Sequence, residues 1–222
     1  MGGQETSADV VAARVQSTRS LWDPRYVENS WITRDGLPEG DKAIRLIPRV
    51  QAKIDAHYPG TRLAITEYNF GGGAHISGAI AQADALGIFG QMGLFAASRW
   101  QMSDDERFLE AAFKMYRGFD GKNANFGNIS LSTASSDVAK VAVYASLDSA
   151  AAAPGRAVFV AINRSNNFQD VALRGLPLQG TARLYRLAGN AITPAYVGKV
   201  PSRGSSLVVA LPPMSISTLD LH

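Results

Sequence analysis

The chain has 222 residues, no cysteine, 46% hydrophobic and 18% charged residues, and a formal net charge of +3 at pH 7. The absence of cysteine excludes disulfides and thiolate chemistry, and the scattered basic residues argue against a nucleic-acid partner. No apolar stretch approaches the roughly 18 residues that a membrane-spanning helix needs, so we expect no membrane partner. The residues after Met1 lack the basic start and apolar core of a signal peptide. We expect either a cytosolic protein or a natural polypeptide that does not begin at Met1.

Helices and strands alternate in the first half of the sequence. Apolar residues at helical spacing predict helices, and short apolar runs bounded by glycine or proline predict buried strands. The order α, α, β, α, β, α is typical of βαβ units that build a parallel sheet. The predicted elements are helices over Ser7–Gln16, Asp41–Tyr58, Ser77–Gly90 and Asp104–Tyr116, the last with Ser103 or Asp104 as N-cap, and strands over Leu63–Ile65 and Leu94–Trp100.

From about residue 125 the pattern changes to short strands separated by turns. Val141, Val143 and Ala145 alternate with small or polar residues, as on a half-buried strand. Seven or so short strands at this spacing suggest an antiparallel sandwich. They are predicted near Ile129–Thr133, Val138–Leu147, Ala157–Asn163, Asp170–Leu173, Ala182–Leu187, Ser206–Ala210 and Ile216–Leu221.

The first half is too small to complete a sheet. A mean sheet has about five or six strands, whereas only two are predicted here, about a quarter of an eight-unit barrel. The apolar side chains of Ala64, Ile65, Phe95 and Ala97 would lack neighbours on one side. We therefore predict an α/β plus all-β chain, with a partial barrel of about two βα units over residues 1–122 and an antiparallel β-sandwich over residues 123–222.

Glu67 stands at the carboxyl end of the first predicted strand, where α/β architectures place their chemistry. A carboxylate there is costly unless hydrogen bonds or a positive partner stabilise it. One alternative is that Glu67 caps the next helix or pairs with an arginine. The other is that it is a glycosidase nucleophile, since retention of configuration needs two carboxyl groups about 5–5.5 Å apart. In that case Tyr68 and Asn69 would orient it and contact the substrate, and Arg99 at the end of the next strand would keep it ionised.

The sequence offers no second carboxylate at an equivalent strand end. Asp84 and Glu110 fall within predicted helices, while Asp23 and Glu28 fall in the connection before the first strand. A loop carboxylate such as Asp23 or Glu28 stays an alternative acid/base. Our main expectation is that the acid/base lies outside these 222 residues.

The three tryptophans, Trp22, Trp31 and Trp100, are candidate sugar platforms. Sugar rings present flat C–H faces that pack on aromatic rings, and indole gives the largest apolar surface. Trp100 closes the second predicted strand, which favours a role in substrate stacking. Trp22 and Trp31 could equally anchor their loop to the core.

The glycines of Gly71–Gly73 invite comparison with a dinucleotide-binding turn. The spacing argues against it, because the third small position falls on Ile76 and the next strand ends without an acidic residue. His75 has no neighbouring ligand pattern, so we expect no metal site. We expect His75 to donate or accept a hydrogen bond with substrate or backbone.

Four segments together closely resemble glycoside hydrolase family 44. They are Leu21–Pro24, Ser30–Ile32, Ala64–Gly72 and His75–Gly90, and the likeness runs from about residue 7 to the end. Members of that family are retaining endo-β-1,4-glucanases and xyloglucanases, some of which also act on xylan. The resemblance implies a (β/α)8-type, TIM-like barrel followed by a β-sandwich. It also implies that Glu67 is the nucleophile, and that Trp100 and Trp31 are sugar platforms.

One departure from the family pattern bears on activity. The family's acid/base is a Glu that follows an Asn on an earlier barrel strand, and this chain contains no Asn-Glu pair. The resemblance therefore implies the C-terminal portion of a secreted enzyme, with no hydrolysis by this chain alone. The implied substrate is a β-glucan or a related plant cell-wall polysaccharide. We expect no cofactor, and the sequence leaves structural calcium and the oligomeric state open.

Two other hypotheses come from different classes of protein. The sandwich could be a non-catalytic carbohydrate-binding or structural module, although residues 121–222 contain no Trp. Alternatively, an α+β domain could dimerise to cover its open sheet edge, because exposed edges invite pairing.

Overall fold

The protein is described by a computed structural model over residues 3–101, 103–148 and 155–222. The fold is mixed, with substantial sheet content and few helices. Short 3₁₀ and π-helical turns at Thr18–Leu21 and Ile32–Gly36 lie in the connection before the first strand, the segment that contains Trp22 and Trp31. The described α-helices are α1 (Ala8–Ser17), α2 (Leu46–His57), α3 (Ile76–Gln91) and α4 (Arg107–Lys114).

The first sheet pairs β1 (Ala64–Tyr68) with β2 (Ala96–Arg99) in parallel, as the βαβ pattern predicted. Leu63 and Ile65 pack against the helical side, whereas Ala64 and Ala97 are exposed. The prediction that the strand over Leu63–Ile65 is buried is therefore wrong for the face that carries Ala64. The reason is that no third strand of the described chain joins this sheet, and the expected lack of neighbours on one side is confirmed.

Helix α3 is the centre of the first half and is buried on almost every side. Its many alanines and glycines allow neighbouring segments to approach closely. A Cβ added at Gly78 would lie 2.0 Å from the Gly72 carbonyl oxygen, and one at Gly87 would lie 2.1 Å from Tyr144 Cδ2. The helix therefore contacts both the β1–α3 turn and the second half of the chain.

Two helices begin later than predicted. Helix α2 was predicted from Asp41, but Arg45 adopts a left-handed conformation with φ of 45° and the helix begins at Leu46. This start places Pro48 in the first turn, where its missing N–H has no intrahelical partner to lose. Helix α4 has Glu106 as its N-cap residue, and the N-cap expected at Ser103 or Asp104 is wrong. Residues 103–106 instead form a turn closed by the Glu106 N–H and the Ser103 carbonyl.

The second half consists of antiparallel strands in two sheets. Six strands lie in the order β3-β4-β5-β10-β7-β8, and β6 pairs with β9. All seven predicted strands are present with ends shifted by at most three residues, but β8 was missed because Gly198 and Pro201 weaken its strand signal. The strands are β3 (Ile129–Leu131), β4 (Val141–Leu147), β5 (Ala157–Asn163), β6 (Gln169–Arg174), β7 (Thr181–Ala188), β8 (Ala195–Pro201), β9 (Ser206–Leu211) and β10 (Ser215–Leu221).

The two larger of the three apolar clusters hold most of these elements together. In one, Leu173 of β6 and Leu207 of β9 pack with Phe159 and Leu219 of the larger sheet. The other cluster includes Ile80 and Ile88 of α3 together with residues from β4, β5, β7 and β10. The helical half therefore shares a core with the opposite face of the six-stranded sheet.

Candidate active site

A register shift in β1 determines where the Glu67 side chain points. Ile65 pairs with Ala97 and Tyr68 pairs with Arg99, so β1 contains one more residue than β2 between these pairs. Strict alternation would put Glu67 on the same face as Ile65. The extra residue instead lets Ile65 and Tyr68 both pack on the helical side, while Thr66 and Glu67 are exposed. Bulges of this kind re-aim side chains and are over-represented next to active sites.

Tyr68 lies on the helical side of β1 and anchors the strand. Its hydroxyl accepts a 2.8 Å hydrogen bond from Gln82 Nε2 of α3, and its ring meets Phe89 edge-on with centroids 5.1 Å apart. Burial raises the pKa of Tyr68 above its ordinary value of 10.0. The structure thus places Tyr68 where it fixes the backbone beside Glu67, with its ring packed toward α3.

Asn69 and Trp100 are brought together at the ends of the two strands. The Asn69 amide donates a 2.9 Å hydrogen bond to the Trp100 carbonyl, and the Trp100 N–H donates a 3.0 Å bond to the Tyr68 carbonyl. The Trp100 side chain is 55% exposed. Its backbone is therefore fixed beside the end of β1, while its ring is free to contact a ligand.

Arg99 pairs with Glu106, and its expected pairing with Glu67 is wrong. The guanidinium lies 3.1 Å from Glu106 Oε1, and both side chains are almost fully buried. Because Arg99 is in register with Tyr68, it faces the same side as that ring and away from Glu67. Arg99 Nη2 also donates a 3.2 Å hydrogen bond to Asn69 Oδ1. Nothing in the sequence signalled Glu106, which contributes to this site from the N-cap of α4.

Within residues 3–101, 103–148 and 155–222, the Glu67 side chain makes no hydrogen bond or ion pair. These contacts therefore do not support the alternative in which Glu67 caps a helix or pairs with an arginine. The carboxylate is exposed at the strand end, where a ligand can reach it.

His75 caps helix α3. Its Nδ1 accepts a 3.2 Å hydrogen bond from the Ser77 N–H and lies 2.9 Å from the Ser77 hydroxyl. The buried Arg14 donates a 2.8 Å bond to the same hydroxyl. Burial first, and the Arg14 charge second, lower the pKa of His75 below its ordinary value of 6.5. Of the two roles considered for His75, these contacts support a hydrogen bond to backbone.

The two tryptophans of the connection differ in exposure. Trp31 is 66% exposed at the start of the π-helical turn. Trp22 is half-buried against the core that includes Ala142, and its indole nitrogen is buried without a hydrogen-bond partner among the described residues. Packing therefore favours the core-anchor alternative for Trp22, whereas Trp31 is accessible to a ligand.

The loop carboxylates are already engaged with other residues. Asp23 is fully buried and lies 2.8 Å from Arg19 Nη2, and these contacts argue against the alternative in which Asp23 serves as acid/base. The Glu28 carboxylate accepts a 2.5 Å hydrogen bond from the Ser20 hydroxyl. Both side chains hold the loop that carries Trp22 in place.

Neither a metal-binding cluster nor a membrane-spanning helix is present in the part of the chain that the structure describes. No group of three or more His, Asp or Glu side chains is arranged to hold a metal ion there. None of the described helices is both long and apolar enough to cross a membrane.

No family model matches the chain, but individual proteins and solved structures do. The chain is 49% identical to Endoglucanase A of Paenibacillus lautus over 148 residues, covering 65% of this chain and 20% of that protein. A glycoside hydrolase family 44 endoglucanase of Clostridium acetobutylium ATCC 824 matches with a TM-score of 0.92 and 31% identity, covering 99% of this chain and 43% of that one. A family 44 xyloglucanase of Paenibacillus polymyxa gives a TM-score of 0.86 and 31% identity, covering 95% and 41%.

The fold and these similarities place the chain among the glycoside hydrolases. More narrowly, it belongs to glycoside hydrolase family 44, and the resemblance found in the sequence motifs is confirmed. The chain spans 20% of the P. lautus protein and 43% and 41% of the two solved chains. The match is consistent with the C-terminal portion of such a protein.

Proposed function

We propose that Glu67 is the nucleophile of a retaining β-1,4-glucan hydrolase whose acid/base carboxyl is supplied by sequence outside these 222 residues. The observation that carries the proposal is the β1 bulge, which exposes Glu67 at a strand end held beside Trp100. Family membership supports the reaction class. Relatives carry the names endoglucanase and xyloglucanase, so the substrate class that we propose is a β-glucan or xyloglucan.

We infer that β1, α3, β2 and α4 are two βα units of a (β/α)8-type barrel, within residues 1–122, and that β3–β10 form a β-sandwich within residues 123–222. The parallel pairing of β1 with β2 supports the barrel. The exposed face of this sheet, including Ala64 and Ala97, would be the interior surface that further strands cover. The apolar cluster shared by β6, β9 and the larger sheet supports the sandwich.

The proposed reaction proceeds in two steps. The Glu67 carboxylate attacks the anomeric carbon and forms a glycosyl ester, while the acid/base donates its proton to the departing glycosidic oxygen. The same acid/base then takes a proton from water, which attacks the anomeric carbon and releases Glu67 as a carboxylate. The exposed rings of Trp100 and Trp31 would stack on sugar faces, and Tyr68 and Asn69 would hold the strand end in place.

The test combines the 222-residue chain with a separately expressed part of the P. polymyxa xyloglucanase that this chain does not cover. We expect the chain alone to release no reducing sugar from soluble xyloglucan or a cellulose derivative, because one carboxyl of the pair is missing. The mixture should hydrolyse these polymers, and Glu67→Gln should abolish that activity while Glu110→Gln leaves it unchanged. Robust turnover by the chain alone would contradict the assignment of the acid/base.

The proposed whole enzyme acts on an extracellular polymer, so we propose that it is secreted. No described helix could span a membrane, which is compatible with that location. A fluorescent fusion of the complete natural polypeptide, assayed in cell and medium fractions, tests this directly.

A further inference from the structure

A cavity with an aromatic wall is lined by residues that are distant from Glu67 in the sequence. Its volume is about 520 Å³, and it lies between the end of α4, the loop that follows, and the β7–β8 edge of the large sheet. Neither Glu67 nor Trp100 lines it. The residues that matter for its chemistry are Lys114, Arg117, Asp120, Asn123, Tyr185 and Tyr196.

Two tyrosines form the aromatic wall. Tyr185 is buried and Tyr196 is 55% exposed, and their ring centroids lie 5.5 Å apart. Tyr185 in turn packs against the buried Phe119 at 5.2 Å. Tyr196 therefore continues a supported row of aromatic rings out to the surface, where one face is available to a ligand.

A register shift in β8 produces this pairing. Leu184 pairs with Gly198 and Tyr185 pairs with Tyr196, so Val197 is an extra residue in β8. Regular pairing would have put Val197 opposite Tyr185. The shift brings the second tyrosine onto the face of the first, in the same way that the β1 shift exposes Glu67.

Polar groups with free hydrogen-bonding capacity surround the aromatic wall. Among the described residues, no side-chain hydrogen bond involves Arg117 or Asn123. The rim itself is ordered, because Asp120 Oδ1 accepts hydrogen bonds from the N–H groups of Lys122 at 2.8 Å and Ala124 at 2.9 Å. The cavity thus combines an apolar platform with the exposed guanidinium of Arg117 and the exposed amide of Asn123, which are available to hydrogen-bond a ligand.

We propose that this cavity is a second polysaccharide-binding site, which holds a β-1,4-linked glucan or xyloglucan chain apart from the bond-breaking site. An uncharged polyol fits the chemistry because its C–H faces stack on Tyr196 while its hydroxyls both donate and accept hydrogen bonds. Lys114 is already paired with Glu110, and the carboxylate of Asp120 offsets the guanidinium of Arg117 on the cavity lining. The cavity therefore offers no net positive charge to a polyanion. The choice of glucan rests on the proposed function, since a hydrolase of a long polymer gains residence time from a second contact.

The test is affinity electrophoresis of the 222-residue chain in native gels that contain hydroxyethylcellulose or xyloglucan. Tyr196→Ala should weaken retardation by about tenfold, because the stacking platform is lost. Tyr196→Phe should remain within about twofold of the parent chain, since the ring is kept. Phe168→Ala is the matched control, because Phe168 is 70% exposed elsewhere and does not line the cavity.

Three outcomes would overturn the proposal. They are no retardation of the parent chain, equal retardation of the parent and Tyr196→Ala, or retardation that requires Trp100 and not Tyr196. Unchanged thermal unfolding of Tyr196→Ala shows that any lost binding is not lost folding. A separate experiment tests the proposed role of Glu67 in hydrolysis. If the complemented mixture remains active with Glu67→Gln, that role is contradicted, but the result of the electrophoresis still stands.

Discussion

The Tyr144 hydroxyl donates a 2.8 Å hydrogen bond to Asp84 Oδ1, which links strand β4 to helix α3. Arg164 Nη2 lies 2.5 Å from the same oxygen, and Thr18 donates a hydrogen bond to the other one. Burial first, and the Asp84 charge second, raise the pKa of Tyr144 well above its ordinary range. Helix α3 is thus joined to the second half of the chain by a buried polar network as well as by apolar packing.

Removing Asp84 should strongly destabilise the chain. Asp84→Ala leaves the Arg164 guanidinium buried without its counter-charge, and breaking a buried pair in this way costs about 3–5 kcal/mol. Chemical denaturation followed by circular dichroism measures the free energy of unfolding. Glu110→Ala is the control, because its ion pair with Lys114 is exposed and worth at most about 1 kcal/mol. Equal effects of the two substitutions would contradict a structural role for the network.

Gly87 and Gly90 lie on the same helix, but alanine should be destabilising only at Gly87. An added Cβ at Gly87 would lie 2.1 Å from Tyr144 Cδ2, whereas nothing lies within 4 Å of one at Gly90. We expect Gly87→Ala to lower the free energy of unfolding by about 1–3 kcal/mol through overpacking. Gly90→Ala should be neutral or raise it by up to about 1 kcal/mol, since alanine favours the helix. Thermal unfolding of both variants distinguishes close packing at Gly87 from a general cost of substitution in α3.

The His75 cap should make stability depend on pH below 6.5. The folded-state pKa of His75 lies below its ordinary value of 6.5. Between these two pKa values His75 is more protonated in the unfolded chain than in the folded chain, so lowering the pH favours unfolding. The His75 contribution to stability is therefore complete above pH 6.5 and falls as the pH drops toward the folded pKa. His75→Asn keeps a capping acceptor without titrating, and it should flatten this part of the profile. Unfolding free energies measured on both sides of pH 6.5 compare the two proteins, and parallel profiles would contradict the prediction.

Replacing Trp22 or Trp31 with alanine should have different effects on the free energy of unfolding. Trp22→Ala removes a ring packed against the core and should cost about 2–4 kcal/mol. Trp31→Ala removes a ring that is 66% exposed and should change stability by less than about 0.5 kcal/mol. Denaturant unfolding of both variants tests this, and a large loss for Trp31→Ala would show that Trp31 anchors the loop.

Local patterns in the sequence predicted most elements correctly. Helix α3 was found within one residue at each end because its apolar residues and its glycine boundaries are local signals. Strand β5 was found at both ends for the same reason. Strand β8 was missed because Gly198 and Pro201 oppose a strand, and pairing with β7 forms it nonetheless.

The site depended on register and on contacts between distant segments, which local patterns do not encode. A continuous alternation would have turned Glu67 toward the helices, and only the pairing of Tyr68 with Arg99 shows the shift. That shift also explains why Arg99 meets Glu106 instead of Glu67. The exposure of the tryptophans also could not be predicted from local patterns. Trp22 and Trp31 have the same two alternatives in the sequence, and only the structure shows that Trp22 packs against the core and Trp31 is exposed.

Covalent labelling tests the role of Glu67 most directly. A dinitrophenyl 2-deoxy-2-fluoro-β-cellobioside has a leaving group that departs without a proton donor, and its fluorine slows hydrolysis of the glycosyl ester. The complemented mixture is incubated with this reagent, and intact and peptide mass spectrometry then locate the added sugar. Glu110→Gln is the matched control for Glu67→Gln.

If Glu67 is the nucleophile, the mass of this chain rises by one fluorocellobiosyl group on the peptide that contains Glu67. Glu67→Gln should then show no gain, and Glu110→Gln should label like the parent. A label on a different carboxylate, a label that persists in Glu67→Gln, or no label on a mixture that hydrolyses xyloglucan would contradict the assignment.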